Sequence, residues 1–225
     1  ATELLGFSVP ELCFEKNDRL DITEYTQAAM VTTSVAMMKV MEERGIHADV
    51  AAGLSLGEYC ALVAAGVMTA DDAIRTVRER GILMQEAVPA GVGGMSAVLG
   101  MTADEINAVV DEIPNVQVAN YNCPGQLVIG GEKAAVDKAA ALAKEAGARR
   151  CIPLKVSGPF HTKLMAPAGD ALAQRFAGEN FGTMETPVLF NCLGHEKAET
   201  DSIPQLLVKQ VQSSVYMEDT LRRLG

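Results

Sequence analysis

The sequence predicts an α/β protein: an α/β-hydrolase-like core, residues 1–93 and 158–225, interrupted by a ferredoxin-like subdomain at 94–157. Three observations carry this reading. Apolar stripes at helical spacing alternate with short apolar runs bounded by glycine and proline. The stretch after Gly94 follows the order βαββαβ. A strand, a tight glycine turn and a helix meet at residues 51–58, which is the α/β-hydrolase arrangement for a nucleophile.

In chain order, residues 26–44 predict a helix, with Val31, Val35, Met38 and Met41 on one stripe and Gly45 as its stop. Asp49–Ala52 predicts a strand, Gly53–Gly57 a turn, and a small-residue helix runs to Ala65. Thr69-Ala70-Asp71-Asp72 resembles a capping box before a helix whose stripe is Ile74, Val77, Gly81 and Met84. The inserted unit reads as strand Met95–Leu99, helix Thr102–Glu112, strand Val116–Asn120, turn Cys123-Pro124-Gly125, strand Gln126–Ile129, helix Lys133–Ala146 and strand Cys151–Val156. A helix over Thr162–Ala177, a strand over Pro187–Asn191 and a helix over Pro204–Val211 return the chain to the core.

Composition sets outer limits. An apolar fraction of 48% with 21% charged residues is that of an ordinary globular domain. No uncharged apolar run of 18 residues exists and Ala1–Pro10 lacks a basic n-region, so neither a membrane span nor a signal peptide is read. Five scattered cysteines without a C-x-x-C pair argue against a disulfide framework or a zinc site, and a reducing cytoplasm is the expected compartment. The net charge of −10 disfavours nucleic acid. Arg149, Arg150 and Lys155 form a local basic cluster, either a phosphate-binding patch or a solvated edge.

Gly53-Leu54-Ser55-Leu56-Gly57 fits G-x-S-x-G between a strand and a helix. A nucleophile elbow needs this strained turn, and glycine two residues before and after the serine relieves crowding. The helix would aim its N-terminus at the reacting carbonyl, with the Leu56 backbone N–H as an oxyanion donor. An accidental glycine-rich turn is the alternative.

A serine needs a base. Of the three histidines, His47 precedes the elbow strand and His195 lies in a polar stretch read as a loop. His161, in Ser157-Gly158-Pro159-Phe160-His161, sits where a strand gives way to a helix, and is the best candidate; a helix-capping role is the alternative. Arg75 and Arg78 lie about 160° and about 100° from Val77 around their helix, whereas Arg80 lies only about 60° away, beside the apolar stripe. A cation there needs an anionic partner, either a protein carboxylate or a substrate carboxylate.

Five segments in order, Gly53–Tyr59 with Ala61–Ala64, Arg80-Gly81 with Met84–Ala87, Asn122–Gln126, Gly158–His161 and Leu207–Val211, resemble the malonyl-CoA:acyl-carrier-protein transacylase family. The resemblance implies that Ser55 carries the acyl group and that His161 is general base and then general acid. It implies that a backbone carbonyl near Gln210 orients the histidine, that Arg80 pairs with the malonyl carboxylate, and that Phe160 crowds the α-carbon. It also implies malonyl-CoA as substrate, an acyl carrier protein bearing phosphopantetheine as partner, no permanently bound cofactor and no metal, a monomer, and a place in fatty-acid biosynthesis. The family's G-Q-G-x-Q loop and closing segment have no counterpart here, so the expectation is a chain of low stability and little activity on its own. Two other readings stand beside it: a serine esterase or thioesterase, and an inactive carrier-docking fragment.

Overall fold

The computed structural model describes residues 1–89, 91–156 and 158–225. Two short helices, α1 (Thr2–Leu5) and α2 (Val9–Phe14), open the chain where the sequence suggested no element; Ser8 caps the second by accepting from the Glu11 N–H. Helix α3 (Thr23–Glu43) starts three residues earlier than its stripe suggests and ends at Gly45, whose φ of 74° only glycine adopts without strain.

Strand β1 is just Ala51–Ala52. It leads through the serine turn into α4 (Gly57–Ala64), and α5 (Ala70–Glu86) follows, capped by the Thr69 hydroxyl on the Asp72 N–H. Helices α3 and α5 cross at Gly81. A Cβ there would stand 2.5 Å from the Glu24 Cα, so the crossing demands a residue without a side chain. Close beside it Arg78 pairs with Glu24 at 2.7 Å and lies 4.3 Å from the Tyr25 ring centroid.

The inserted unit contains β2 (Gly93–Leu99), α6 (Ala103–Val110), β3 (Val116–Cys123), β4 (Gln126–Glu132), α7 (Lys133–Glu145) and β5 (Arg150–Pro153). Strand β5 stops three residues short of the expected end, and Ser157, the expected boundary of the unit, lies outside the described residues. At α6 the capping box is complete: the Thr102 hydroxyl accepts from the Glu105 N–H, and the Glu105 carboxylate accepts from the Thr102 N–H.

The chain then runs through a single 3₁₀ turn, Lys163–Met165, into α8 (Ala166–Phe176), β6 (Val188–Phe190), β7 (His195–Glu196), α9 (Ile203–Gln212), β8 (Val215–Tyr216) and α10 (Met217–Leu224). His195 is thus part of a short strand, not of a loop. Two sheets result. One has the order β1-β6-β7, with β1 and β6 parallel. The other has the order β5-β2-β4-β3-β8; its first four strands pair antiparallel and β8 joins β3 in parallel. Residues 215–216, expected in the core, therefore extend the sheet of the inserted unit.

One apolar cluster fills the core around α3, α4, α5, α8 and α9, with Val31, Leu62, Val77, Leu172 and Leu207 at its centre. A second lies under α6 and α7, built on Val98, Ile106, Leu127 and Ile129. Met95, Ala119 and Val128 form a third, small cluster on the opposite face of the sheet, and Phe160 bridges it to the core.

Candidate active site

Ser55 stands between β1 and α4 with a φ of 53°, an unusual backbone for a residue with a side chain. Gly53 makes that bend possible, because a Cβ there would lie 2.1 Å from the Gly57 carbonyl oxygen. The expectation that both glycines relieve crowding holds at Gly53 only. A Cβ at Gly57 would meet nothing within 4 Å. Among the described residues the Leu56 N–H finds no acceptor, and it opens the first turn of α4 beside the serine.

The Ser55 hydroxyl lies 2.8 Å from His161 Nε2, across 106 residues of sequence. On the other side of the ring, Nδ1 lies 2.8 Å from the Gln210 backbone carbonyl. A carbonyl oxygen only accepts, so Nδ1 carries the proton and Nε2 presents a lone pair to the serine O–H. Burial, reinforced by the Arg80 charge, lowers the His161 pKa to about 4, although the Gln210 hydrogen bond pulls it upward. The imidazole is neutral near pH 7 and able to accept a proton. His161 has a φ of 59°, a second left-handed backbone at the centre of the site. His47 and His195 are exposed and take no part.

Arg80 is 1% exposed. Its guanidinium donates to Gln27 Oε1 at 2.6 Å, to Gln210 Oε1 at 2.9 Å and to the Ser55 hydroxyl at 3.2 Å, and lies 5.5 Å from the Tyr59 ring centroid. Among the described residues no carboxylate bonds to it, and its Nε has no acceptor. The nearby acid is Glu58, which is wholly buried. Desolvation lifts the Glu58 pKa to about 8, against the Asn191 N–H, Gln210 and Arg80, which lower it. Near neutral pH that carboxyl is protonated and leaves Arg80 uncompensated. A protein carboxylate as the partner of Arg80, one of the two readings of the sequence, is therefore not what the structure contains. Arg75 is exposed and Arg78 is paired with Glu24.

Three neighbours went unnoticed in the sequence. Gln27 lies one helical turn before Val31, on the buried stripe of α3, and a polar residue at a core position was the available signal. Glu58 follows the motif directly. Asn191 ends the apolar run of β6, and nothing local announces it. Its side chain accepts from the Ser55 N–H and donates to the Gly53 carbonyl at 2.7 Å. Gln210 also contributes its side chain, which donates to the Ser55 carbonyl at 2.8 Å. Phe160 is half-buried between the core and the inserted sheet. Arg149, Arg150 and Lys155 are all exposed, on or beside β5 at the edge of the inserted sheet. Among the described residues, no group of three or more His, Cys, Asp or Glu is placed to hold a metal ion. A cavity of about 860 Å³ between α7 and the β2–β5 edge is lined by none of the residues around Ser55.

Comparison with known proteins adds an independent line. The family described as "Acyl transferase domain" matches residues 2–224. The malonyl CoA-acyl carrier protein transacylase of Bacillus subtilis is 44% identical over 229 residues, covering all of this chain and 72% of that protein. That of Haemophilus influenzae is 42% identical, again over the whole chain and 74% of its own length. Among solved structures, an acyl carrier protein S-malonyltransferase from Vibrio cholerae superposes with a TM-score of 0.94 at 41% identity, over 99% of this chain and 74% of that one. A malonyl-transacylase in complex with its type II PKS acyl-carrier protein gives 0.95 at 40% identity, over 99% and 74%.

Proposed function

We propose, because the chain belongs to the malonyl CoA-acyl carrier protein transacylase family of acyltransferases, that it moves a malonyl group from malonyl-CoA to the pantetheine thiol of an acyl carrier protein, for fatty-acid biosynthesis. The observation that carries the choice of acyl group is Arg80. A buried guanidinium 3.2 Å from the nucleophile, bonded among the described residues only to neutral groups, is a ready partner for one substrate carboxylate. An esterase acting on uncharged acyl chains has no use for it.

In the first half-reaction His161 Nε2 takes the Ser55 proton as the serine oxygen attacks the thioester carbonyl. The Leu56 N–H faces the developing oxyanion. As the tetrahedral species collapses, the C–S bond breaks and the CoA sulfur leaves with the proton from His161. The product is a malonyl ester on Ser55. In the second half-reaction the carrier thiol gives its proton to His161, attacks the ester carbonyl, and Ser55 leaves and recovers a proton.

Burial first, and the Arg80 charge second, hold the His161 pKa down. A malonyl carboxylate on the guanidinium offsets the Arg80 share of that shift, which an acetyl group cannot do. Phe160, beside the α-carbon position, restricts branched acyl groups. Acyl selectivity then has three sources: charge pairing, base strength and shape.

The fold is read as an α/β-hydrolase-like core, residues 1–93 and 158–225, with a ferredoxin-like insertion at 94–157 whose sheet also takes in Gly93 and Val215–Tyr216. The strand order β5-β2-β4-β3 with antiparallel neighbours supports the latter, and the strand–elbow–helix at Ser55 the former. Five unpaired cysteines fit a reducing cytoplasm.

The test is intact-mass spectrometry after mixing with malonyl-CoA. An added malonyl mass on the wild type, absent in Ser55→Ala and at least about 100-fold slower to form in Arg80→Ala, is the expected result. An adduct that persists in Ser55→Ala would sink the assignment.

A further inference from the structure

The bend that presents Ser55 is unfavourable for a residue with a side chain, so something outside the turn must hold it. Local sequence cannot do so. Gly53 permits the bend without enforcing it. Asn191 lies at the end of β6, the strand parallel to β1, at the point where β1 stops and the elbow leaves the sheet. There it continues the ladder with its side chain. Oδ1 accepts from the Ser55 N–H and Nδ2 donates to the Gly53 carbonyl at 2.7 Å, so one amide grips the elbow on both sides of Leu54.

The grip is itself anchored. The Asn191 N–H donates to Glu58 Oε2 at 2.6 Å, and its carbonyl accepts from the Tyr216 N–H at 2.8 Å. Glu58 lies on α4, the helix that the elbow feeds. The Glu58 N–H donates back to the Ser55 carbonyl at 3.1 Å, so turn, strand and helix form a closed ring of hydrogen bonds in which Asn191 and Glu58 are both 0% exposed. Aspartate at 191 would keep an acceptor for Ser55 and lose the donor for Gly53. Leucine would lose both with little change in volume.

Resting on the reading of Ser55 as nucleophile, we infer that Asn191 is a positioning residue for that serine, and that with Glu58 it sets the elbow geometry from which Ser55 reaches His161. A second consequence follows. The Ser55 N–H is already committed to Asn191, so it is not an oxyanion donor, and that task falls to Leu56.

The experiment measures the rate of malonyl adduct formation on the full chain by rapid quench and intact mass, over a range of malonyl-CoA concentrations. Thermal melts of each variant accompany it. Asn191→Asp is expected to lower the maximal acylation rate by about 30-fold and Asn191→Leu by about 100-fold, with half-saturating malonyl-CoA changed less than about threefold. A folded variant acylating within threefold of wild type, or a loss seen only in half-saturation, overturns the proposal. Hydrogen exchange of the wild type gives a reading that needs no variant: the Ser55 amide should be protected although it lies in a turn. An amide exchanging there at the unprotected rate also overturns it. No adduct on wild type would sink the nucleophile assignment and this inference with it, whereas an adduct formed equally fast in the folded variants would sink this inference alone.

Discussion

The inserted unit and the floor of the serine site are built by opposite rules. In the inserted unit most local preferences agree with the fold, the left-handed backbone of Asn115 and the bulges of β3 being the exceptions. Thr102 and Glu105 cap α6 reciprocally, Val98, Ile106, Leu127 and Ile129 pack one apolar layer, and β2 and β4 pair in regular antiparallel register. At the serine site local preferences are broken at four places. Ser55 and His161 hold left-handed backbones, Arg80 is a buried cation with no carboxylate bonded to it among the described residues, and Glu58 is a buried acid. Stability and readiness for chemistry are thus separated in space. The first region meets its preferences within itself, whereas the second stays irregular because the surrounding helices fix it.

The contrast can be broken by experiment, the largest effect first. At Arg80 the charge alone is not enough, because a planar fork fits a carboxylate bidentately and a point charge does not. Arg80→Lys should therefore recover little of the malonyl transfer lost in Arg80→Ala, leaving kcat/KM down by about 100-fold, or ~3 kcal/mol of transition-state stabilisation. Near-complete recovery in a transfer assay with malonyl-CoA and carrier protein would show that the site needs only positive charge.

Glu58 offers a change of opposite sign. Its pKa rises from 4.5 to about 8 on folding. The unfolded chain therefore releases this proton first, and stability present below pH 4.5 is lost as pH rises towards 8. Glu58→Gln removes the ionisable group and keeps an acceptor for the Asn191 N–H. The variant should melt higher than wild type at pH 8 by the equivalent of roughly 2 kcal/mol, with a smaller gain at pH 5. His161 works the other way. Its folded pKa of about 4 means that stability held above pH 6.5 is lost as pH falls towards 4. Thermal melts of both proteins from pH 4 to 9 check this; parallel curves would refute the Glu58 assignment.

The smallest effect belongs to the regular region. Thr102→Ala removes one cap of α6 and should cost about 1 kcal/mol of stability. The rate at which Ser55 is acylated should not change. A matching fall in acylation would mean that the inserted unit and the serine are coupled more tightly than their separate cores suggest.

Legibility in the sequence followed the same division. The helix stripes, the capping residues and the βαββαβ order are statements about neighbours in the chain, and they appear with boundary errors of a few residues, as at α3 and β5. Ser55 could be found because its bend has a local signature in Gly53, and Arg80 because it sits beside an apolar stripe. The left-handed backbone at His161 has no such signature. Asn191 bonds across 136 residues to Ser55, and Gln27 across 53 to Arg80, so no window along the chain contains either pair. The buried, neutral state of Glu58 depends on what covers it, which only the packed structure supplies.

The short strand β8 bears on how such a protein could be recombined. It pairs Val215 and Tyr216 with Asn120 and Tyr121 of the inserted unit, and the Tyr121 and Tyr216 rings stack at 5.2 Å. Ser214 adds a hydrogen bond to the Val118 carbonyl at 2.6 Å. The same stretch reaches Asn191 through the Tyr216 N–H, and α9, which ends at Gln212 three residues before β8, carries the Gln210 carbonyl bonded to His161. A chimaera that transplants residues 94–156 from a relative imports one half of this joint and leaves the other behind. The donor must match the host at Asn120–Tyr121, or a slip of one residue turns the stacked tyrosines to opposite faces and pulls on the segment that aims the histidine. Successful grafts should be those whose donors carry residues 214–216 along with the insert.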